Sequence, residues 1–224
     1  MTKTKTLHKD VLLYDLRERM TDEQEAMVHS ILNNRITFVN AKAGTGKTTI
    51  AVAMAKYLWE TEEQRAIYVT PTVEERTLGF TTGDPAAKEL KYMTPLFDAL
   101  AECHEQEPLE VVQLSGQYGA EHKRWMEAKS HAFLRGSNIK NKTVIIDEAQ
   151  NLTRGELKKV LTRISDNSTV IVIGHDGQID LPKSSVSGFV PYIDHFKDQP
   201  YSEVVELTHN FRGSLAQHAD ELRW

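Results

Sequence analysis

The sequence is short of several things. It has a single cysteine, Cys103, in 224 residues. That excludes an intramolecular disulfide and any zinc site built on paired cysteines, and the lone thiol is read as passive. It has no long apolar run and no charged, then apolar, then small-residue opening. Neither a membrane-spanning helix nor a secretory leader is expected, and a cytoplasmic protein is. It has no excess of positive charge, the formal net charge being −5. Binding that relies on bulk charge is excluded, and a local basic face remains open. It has no internal repeat, low-complexity tract or clear linker. What remains is an ordinary composition, long enough to bury one full core.

Short apolar runs alternate with helical patterns along the chain. Residues 1–20 are read as an N-terminal arm, either disordered or a docking strand, and 21–224 as one domain. Thr21 has the look of a helix N-cap, with acidic residues behind it and Ala26, Met27, Ile31 and Leu32 on one face. Strands are expected at 36–39, 66–70, 109–114, 143–147, 169–174 and 203–207. Helices are expected at 47–59, 85–103, 153–164, 186–197 and 214–222, with a loop at 71–84. Residues 115–142 have no clear assignment. The alternation predicts an α/β fold, a mostly parallel sheet flanked by helices on both faces.

The chemistry starts at "AKAGTGKT", residues 41–48. It differs by one residue from the phosphate-loop signature G-x-x-x-x-G-K-[ST], with Ala41 in the first glycine position. Ala43, Gly44, Thr45 and Gly46 would wrap backbone N–H groups around phosphate oxygens. The helix beginning at Lys47 adds its positive end. Lys47 would reach the β- and γ-phosphates, Thr48 would ligate Mg²⁺, and Thr49 would support the α-phosphate. A small residue suffices at 41 if the backbone stays at negative φ.

A second signal is "TVIIDEAQN", residues 143–151, an apolar run ending in two acids. An ATP-hydrolysing site needs one carboxylate on the metal and one on the attacking water. Asp147 is the metal-side candidate and Glu148 the catalytic one. Gln178, in "GHDGQIDLP" after the next strand, is a candidate sensor of the γ-phosphate. Arg212, in "ELTHNFRGS" after the last strand, would stabilise charge developing there. Gln24 lies a helix and a strand before the loop, and an amide can both donate to and accept from an adenine edge. The guanine-reading N-K-x-D is absent, since "NKTV" places Val144 where the Asp belongs.

Several further stretches stand in order with these: "TPTVEERTLGFTTGD" (70–84), "PLFDAL" (95–100), "FLRG" (133–136), "LTRI" (161–164), "QIDLP" (178–182) and "SGF" (187–189). Together they resemble the PhoH-like family of P-loop ATPases, related to the superfamily 1 helicase core. "TDEQ" and "LTHNFR" are similar to the Q-motif and N-[YF]-R motif of those helicases. The resemblance spans about residues 20–223. It implies a RecA-like P-loop core that binds and hydrolyses ATP with Mg²⁺, a link to RNA metabolism, and homo-oligomers, some of them rings, a hexamer among the options. The chain departs from the pattern at Ala41, at Thr70 (usually Arg) and at His175 (usually Asp), with Asp176 a candidate substitute. A single-domain version without an attached nuclease-type domain is expected. Such a minimal version suits a phage-encoded protein acting in the host cytoplasm.

For a partner, residues 121–142 hold Lys123, Arg124, Lys129, Arg135, Lys140 and Lys142 against Glu121 and Glu127, with Trp125 and Phe133 interleaved. Cations and aromatics suit single-stranded RNA or DNA. The same pattern suits a solvated face over core aromatics. It equally suits a subunit interface at which Arg135 or Arg163 reaches a neighbour's nucleotide. The leading reading is an ATPase coupled to single-stranded nucleic acid, in a helicase or remodelling role. The alternatives are a thymidine-kinase-type nucleoside kinase and a nucleotide-gated binding protein with little turnover.

Overall fold

The computed structural model describes residues 4–71, 93–114, 124–134 and 136–220. In them a seven-stranded, wholly parallel sheet forms from β1 (Ile36–Ala41), β2 (Ala66–Thr70), β3 (Val112–Leu114), β4 (Met126–Ser130), β5 (Thr143–Ile146), β6 (Thr169–Gly174) and β7 (Ser202–Leu207). The spatial order is β3-β4-β2-β5-β6-β1-β7. The helices are α1 (Asp22–Asn33), α2 (Lys47–Glu62), α3 (Thr94–Glu102), α4 (Pro108–Val111), α5 (Arg154–Leu161), α6 (Phe189–Phe196) and α7 (Ser214–Asp220).

Strand alternation divides the core in two. Val39, Ala41, Tyr68, Ile145, Ile171 and Ile173 point to one face and pack with α1, α2 and α3. Phe38, Val69, Val144, Ile146, Val170 and Val172 point to the other, under Leu157, Val160 and Phe189. The central strands β1, β2, β5 and β6 are thus apolar on both faces, as a parallel sheet covered on both sides requires. Gly174 ends β6 where a Cβ would lie 2.8 Å from the Phe189 ring, so only glycine lets α6 approach so closely.

The chain leaves β1, crosses over β6 and β5, and returns as β2. Ligands in such sheets sit at the carboxyl ends of strands where the winding reverses. β6 lies between β1 and β5, so the loops after the three strands converge at one place.

Two expectations need correction, and one unassigned segment is resolved. Residues 4–20 are neither a free arm nor a strand: turns and a 3-10 helix, Arg17–Arg19, bury Leu7, Leu13 and Leu16 in the core. The strand expected at 109–114 begins only at Val112. Pro108 occupies the first position of α4, where its missing N–H costs nothing, and one helical turn forms before the chain extends. Residues 126–130, inside the segment that sequence patterns do not assign, are strand β4, hydrogen-bonded between β3 and β2. The expected helix at 85–103 is seen as Thr94–Glu102. Residues 72–92 lie outside the described residues, with most of the 70–84 motif; so do Lys123 and Arg135. Among the described residues, no helix is long and apolar enough to cross a membrane.

Candidate nucleotide site

β1 delivers the chain to the loop. Ala41 is its last residue, paired with Leu207 and buried, and its φ is not positive, so no glycine is needed there. Gly44 and Gly46 both take φ +73°, the left-handed conformation that lets successive N–H groups face inward. A Cβ on Gly44 would lie 2.7 Å from Asn210 Oδ1 and 2.9 Å from Arg212 Cγ. The Phe211 N–H donates to the Gly44 carbonyl at 2.8 Å. The "HNFR" turn is therefore latched directly onto the phosphate loop. Gly44→Ala should lower the melting temperature, the left-handed backbone alone costing about 1–2 kcal/mol, and displace Arg212. A thermal melt with and without nucleotide checks both.

The loop's other neighbours also hold it. Thr21 and Gln24 form a capping box at the start of α1. The Gln24 Nε2 donates to the Thr45 carbonyl at 2.9 Å, and its Oε1 accepts from the Thr21 N–H at 3.1 Å. Gln24 lines the cavity, but both ends of its amide are already engaged in fastening the phosphate loop to α1. Glu23, beside it, accepts from the Thr208 N–H (2.7 Å), the Thr208 hydroxyl and the His209 N–H (3.2 Å). Burial acts to raise the Glu23 carboxyl, and these hydrogen bonds outweigh it and hold the group below its ordinary range.

Across the loop stands the end of β5. Asp147 is 1% exposed, and its carboxylate takes three donors. These are the Thr48 hydroxyl at 2.9 Å, the Tyr68 hydroxyl at 2.6 Å and the Glu148 N–H at 2.8 Å. Sequence patterns do not single out Tyr68. Its one signal is a hydroxyl-bearing ring inside the otherwise apolar strand "AIYVT". Tyr68→Phe leaves the buried Asp147 carboxylate one donor short and should cost about 1.5–3 kcal/mol of stability, read from denaturant midpoints.

Glu148 follows in the left-handed region, with φ +51°. Burial, first, and then the neighbouring Asp147 charge raise its pKa, against opposing contributions from Lys47 and Gln150. Gln150 joins two loops: its Nε2 donates to Glu148 Oε2 at 2.7 Å, and its Oε1 accepts from the His175 N–H at 3.1 Å. Asn151 and Asp180 exchange bonds of 3.1 and 2.7 Å, and Asn40 and Asp176 bonds of 3.2 and 3.3 Å. The segment after β6 is thus stitched to both the acidic turn and β1, which fixes where Gln178 stands. His175 is buried, while Asp176 is exposed and engaged by Asn40.

One cavity of about 770 Å³ collects these groups, within the range of small-molecule sites. Ala43, Gly44, Thr45, Gly46, Lys47, Thr48, Thr49, Gln24, Glu148, Gln178 and Arg212 all line it. Asp147 reaches it through Thr48. Phe211 lines it too, as do residues of the N-terminal segment and α3 that sequence reasoning misses. Among the described residues, no group of three or more His, Cys, Asp or Glu side chains could hold a metal alone. The Thr48 hydroxyl and Asp147 carboxylate are hard oxygen donors at hydrogen-bond distance from each other. They fit a Mg²⁺, a hard cation that takes oxygen ligands.

Among the described residues of the basic segment, one aromatic and two cations are engaged internally. Trp125 is 3% exposed, in the core. Lys129 (2.6 Å) and Lys142 both pair with Glu127. Phe133 alone of the two aromatics is open, 57% exposed in the 3-10 turn His131–Leu134 after β4. Arg163 does not line the cavity; its carbonyl accepts from the Ile139 N–H at 2.8 Å.

Known proteins share this sequence pattern and this fold. A family model described as "PhoH-like protein" matches residues 18–221. A PhoH-like protein of Mycobacterium tuberculosis H37Rv is 34% identical over 190 residues, covering 84% of this chain and 52% of that protein. Protein PhoH of Escherichia coli K12 is 33% identical over 188 residues, covering 82% and 51%. The chain spans about half the length of the curated relatives it matches. Among solved structures, the UvsW helicase of bacteriophage T4 superposes with a TM-score of 0.55 at 12% identity, covering 83% of this chain and 59% of that one. The large terminase of a thermophilic bacteriophage, in complex with ADP, also gives 0.55 at 12%, covering 89% and 48%. At that identity the likeness shows the fold, that of the P-loop nucleotide-binding proteins.

Proposed function

The chain belongs to the PhoH-like family, and on that premise we propose that it is a Mg²⁺-dependent ATPase, its turnover coupled to single-stranded nucleic acid. The observation that carries the reading is the meeting of Thr48 with Asp147 at 2.9 Å, with Glu148 beside them in the phosphate-loop cavity.

Each residue has one task. The loop's N–H groups and Lys47 hold the phosphates. Thr48 and Asp147 would hold Mg²⁺, which supplies charge neutralisation on the phosphate oxygens when bound. Glu148 orients the attacking water and takes its proton. A carboxyl raised by burial is the better base for this near neutral pH. Gln178, fixed by the stitched loop after β6, contacts the water or the γ-phosphate. Arg212, packed against Gly44, counters the charge that develops as the terminal phosphate leaves. Gln24 couples its own amide to the loop carbonyl and, through a second amide hydrogen, to the adenine edge.

Nucleic-acid coupling rests on the family and on Phe133, exposed at the carboxyl side of the sheet, where a base can stack. Translocation needs a second RecA-like core to move against, which a homo-oligomer of this chain, formed in the cytoplasm, would supply. The test is phosphate release from ATP with Mg²⁺, with and without single-stranded RNA or DNA, at low and moderate salt. Stimulation that fades as salt rises supports the coupling. Hydrolysis indifferent to both polymers at low salt removes it and leaves the ATPase. Phe133→Ala should lower the stimulated rate by the loss of one stacking contact, about 1–3 kcal/mol.

A further inference from the structure

The cavity has a part that the phosphate loop and the acidic turn do not line. It is built by Leu16, Arg19 and Met20 of the N-terminal segment, facing Pro95, Asp98 and Glu102 of α3. The segment reaches this place by an unusual path. Leu13, Tyr14 and Asp15 have φ of +48°, +59° and +63°, three consecutive side-chain-bearing residues in the left-handed region. Chains avoid that conformation unless surrounding contacts impose it.

The contacts that impose it converge on Lys56 of α2. Its ammonium lies 4.4 Å from the centre of the Tyr14 ring, with a side chain 10% exposed. It donates to the Cys103 carbonyl at 2.8 Å and pairs with Glu105 at 2.9 Å. The Tyr14 hydroxyl donates to Glu60 at 2.6 Å, and burial with that carboxylate keeps the phenol protonated. Asp15 lies 3.3 Å from His104. Farther on, Arg19 pairs with Glu102 at 2.6 Å across the cavity rim. None of these groups has a part in the chemistry assigned to the phosphate end. Lys56 is a charge buried on a core helix, and it tethers a strained turn to the two helices that flank the cavity.

We propose that residues 13–20 form the base-side wall of the nucleotide site, with Lys56 as the positioning residue that holds the wall closed. The proposal rests on the nucleotide-site reading. Leu16, Met20 and Pro95 offer flat apolar contact to a heterocyclic base, and Asp98 and Glu102 offer acceptors to an exocyclic amine. The Arg19–Glu102 pair spans the rim beside these groups. Release of the tether lets the strained turn relax and removes the wall, leaving the phosphate loop as it was.

The experiment separates base from phosphate. Binding of Mg-ATP and of Mg-tripolyphosphate, which has no base, is measured by calorimetry on the full chain and on Lys56→Met, Arg19→Ala and Arg19→Lys. Lys56→Met should weaken ATP binding roughly ten-fold by lowering the fraction with the wall in place, with tripolyphosphate unchanged. Arg19→Ala should show the same split to a smaller degree, and Arg19→Lys, which keeps the ion pair, should restore ATP binding. Arg19 is 63% exposed, so its variants test the proposal even if the buried Lys56 substitution prevents folding. Equal weakening of both ligands assigns these residues a structural role and overturns the proposal, as does ATP binding unchanged in every variant. A wild-type chain that binds neither ligand overturns the nucleotide-site reading itself, and this one with it.

Discussion

Glu148→Gln should bind ATP with near wild-type affinity and hydrolyse it about 10²–10⁴-fold more slowly, the usual contribution of a positioned general base. The same substitution should raise the melting temperature near neutral pH. The wild-type carboxyl is held above its ordinary value by burial and by Asp147. A carboxyl raised in the folded state binds its proton more tightly there than in the unfolded chain. Stability is therefore lost as pH rises from the ordinary carboxylate range through the raised folded value. Above that window the wild type carries the whole penalty, and below about pH 4, where the unfolded carboxyl is also protonated, it carries none. The amide has no proton to lose, and its oxygen still accepts from Gln150. The melting difference should therefore be present at neutral pH and close in acid. Single-turnover hydrolysis and melts across pH check the two halves together. Normal turnover with normal ATP binding would remove Glu148 from the catalytic role.

How far the sequence reveals this site depends on which forces fix each residue. The phosphate loop and the acidic strand end are legible because local rules govern them: glycines at positive φ, a helix starting at Lys47, an apolar run closing on Asp147. The strand β6, "TVIVIG", is legible to the residue because both its faces are buried and nearly every position is apolar or small. β4 is not, because "MEAKS" has no β-branched residue. Met126, Ala128 and Ser130 face inward, and Glu127 and Lys129 offset each other on the other face. What reads as a basic segment is in part an internal charge pair beside a core tryptophan. The left-handed turn at 13–15 leaves no sequence mark at all. It is imposed by Lys56, Glu60 and Glu105, residues far away in the chain. Gln24 shows a third case. Its place beside the loop is legible, but its amide is shared between a helix cap and the Thr45 carbonyl, which only the packing of α1 reveals.

Lys47→Ala is the second large effect, and it reaches beyond phosphate binding. The Lys47 ammonium makes a long bond, 3.4 Å, to the Ala41 carbonyl, so little internal stability depends on it. A charge-assisted contact to phosphate is worth about 1.5–3 kcal/mol, and its loss should weaken ATP binding roughly 10- to 100-fold. Lys47 is also a cation that favours the ionised form of Glu148. Without it the Glu148 carboxyl rises further, and the pH window over which folding stability is lost extends upward. Nucleotide-free Lys47→Ala should therefore match the wild type in acid and fall below it as pH rises. The double variant with Glu148→Gln should lose that pH-dependent difference while keeping the weak ATP binding. Melts of the four proteins across pH, with ATP titrations at one pH, measure the coupling between the two side chains. A pH-independent deficit in the single variant would mean that Lys47 and Glu148 do not sense each other across the cavity. Glu148 would then owe its raised pKa to burial and to its acidic neighbours Asp147 and Asp180, without relief from Lys47.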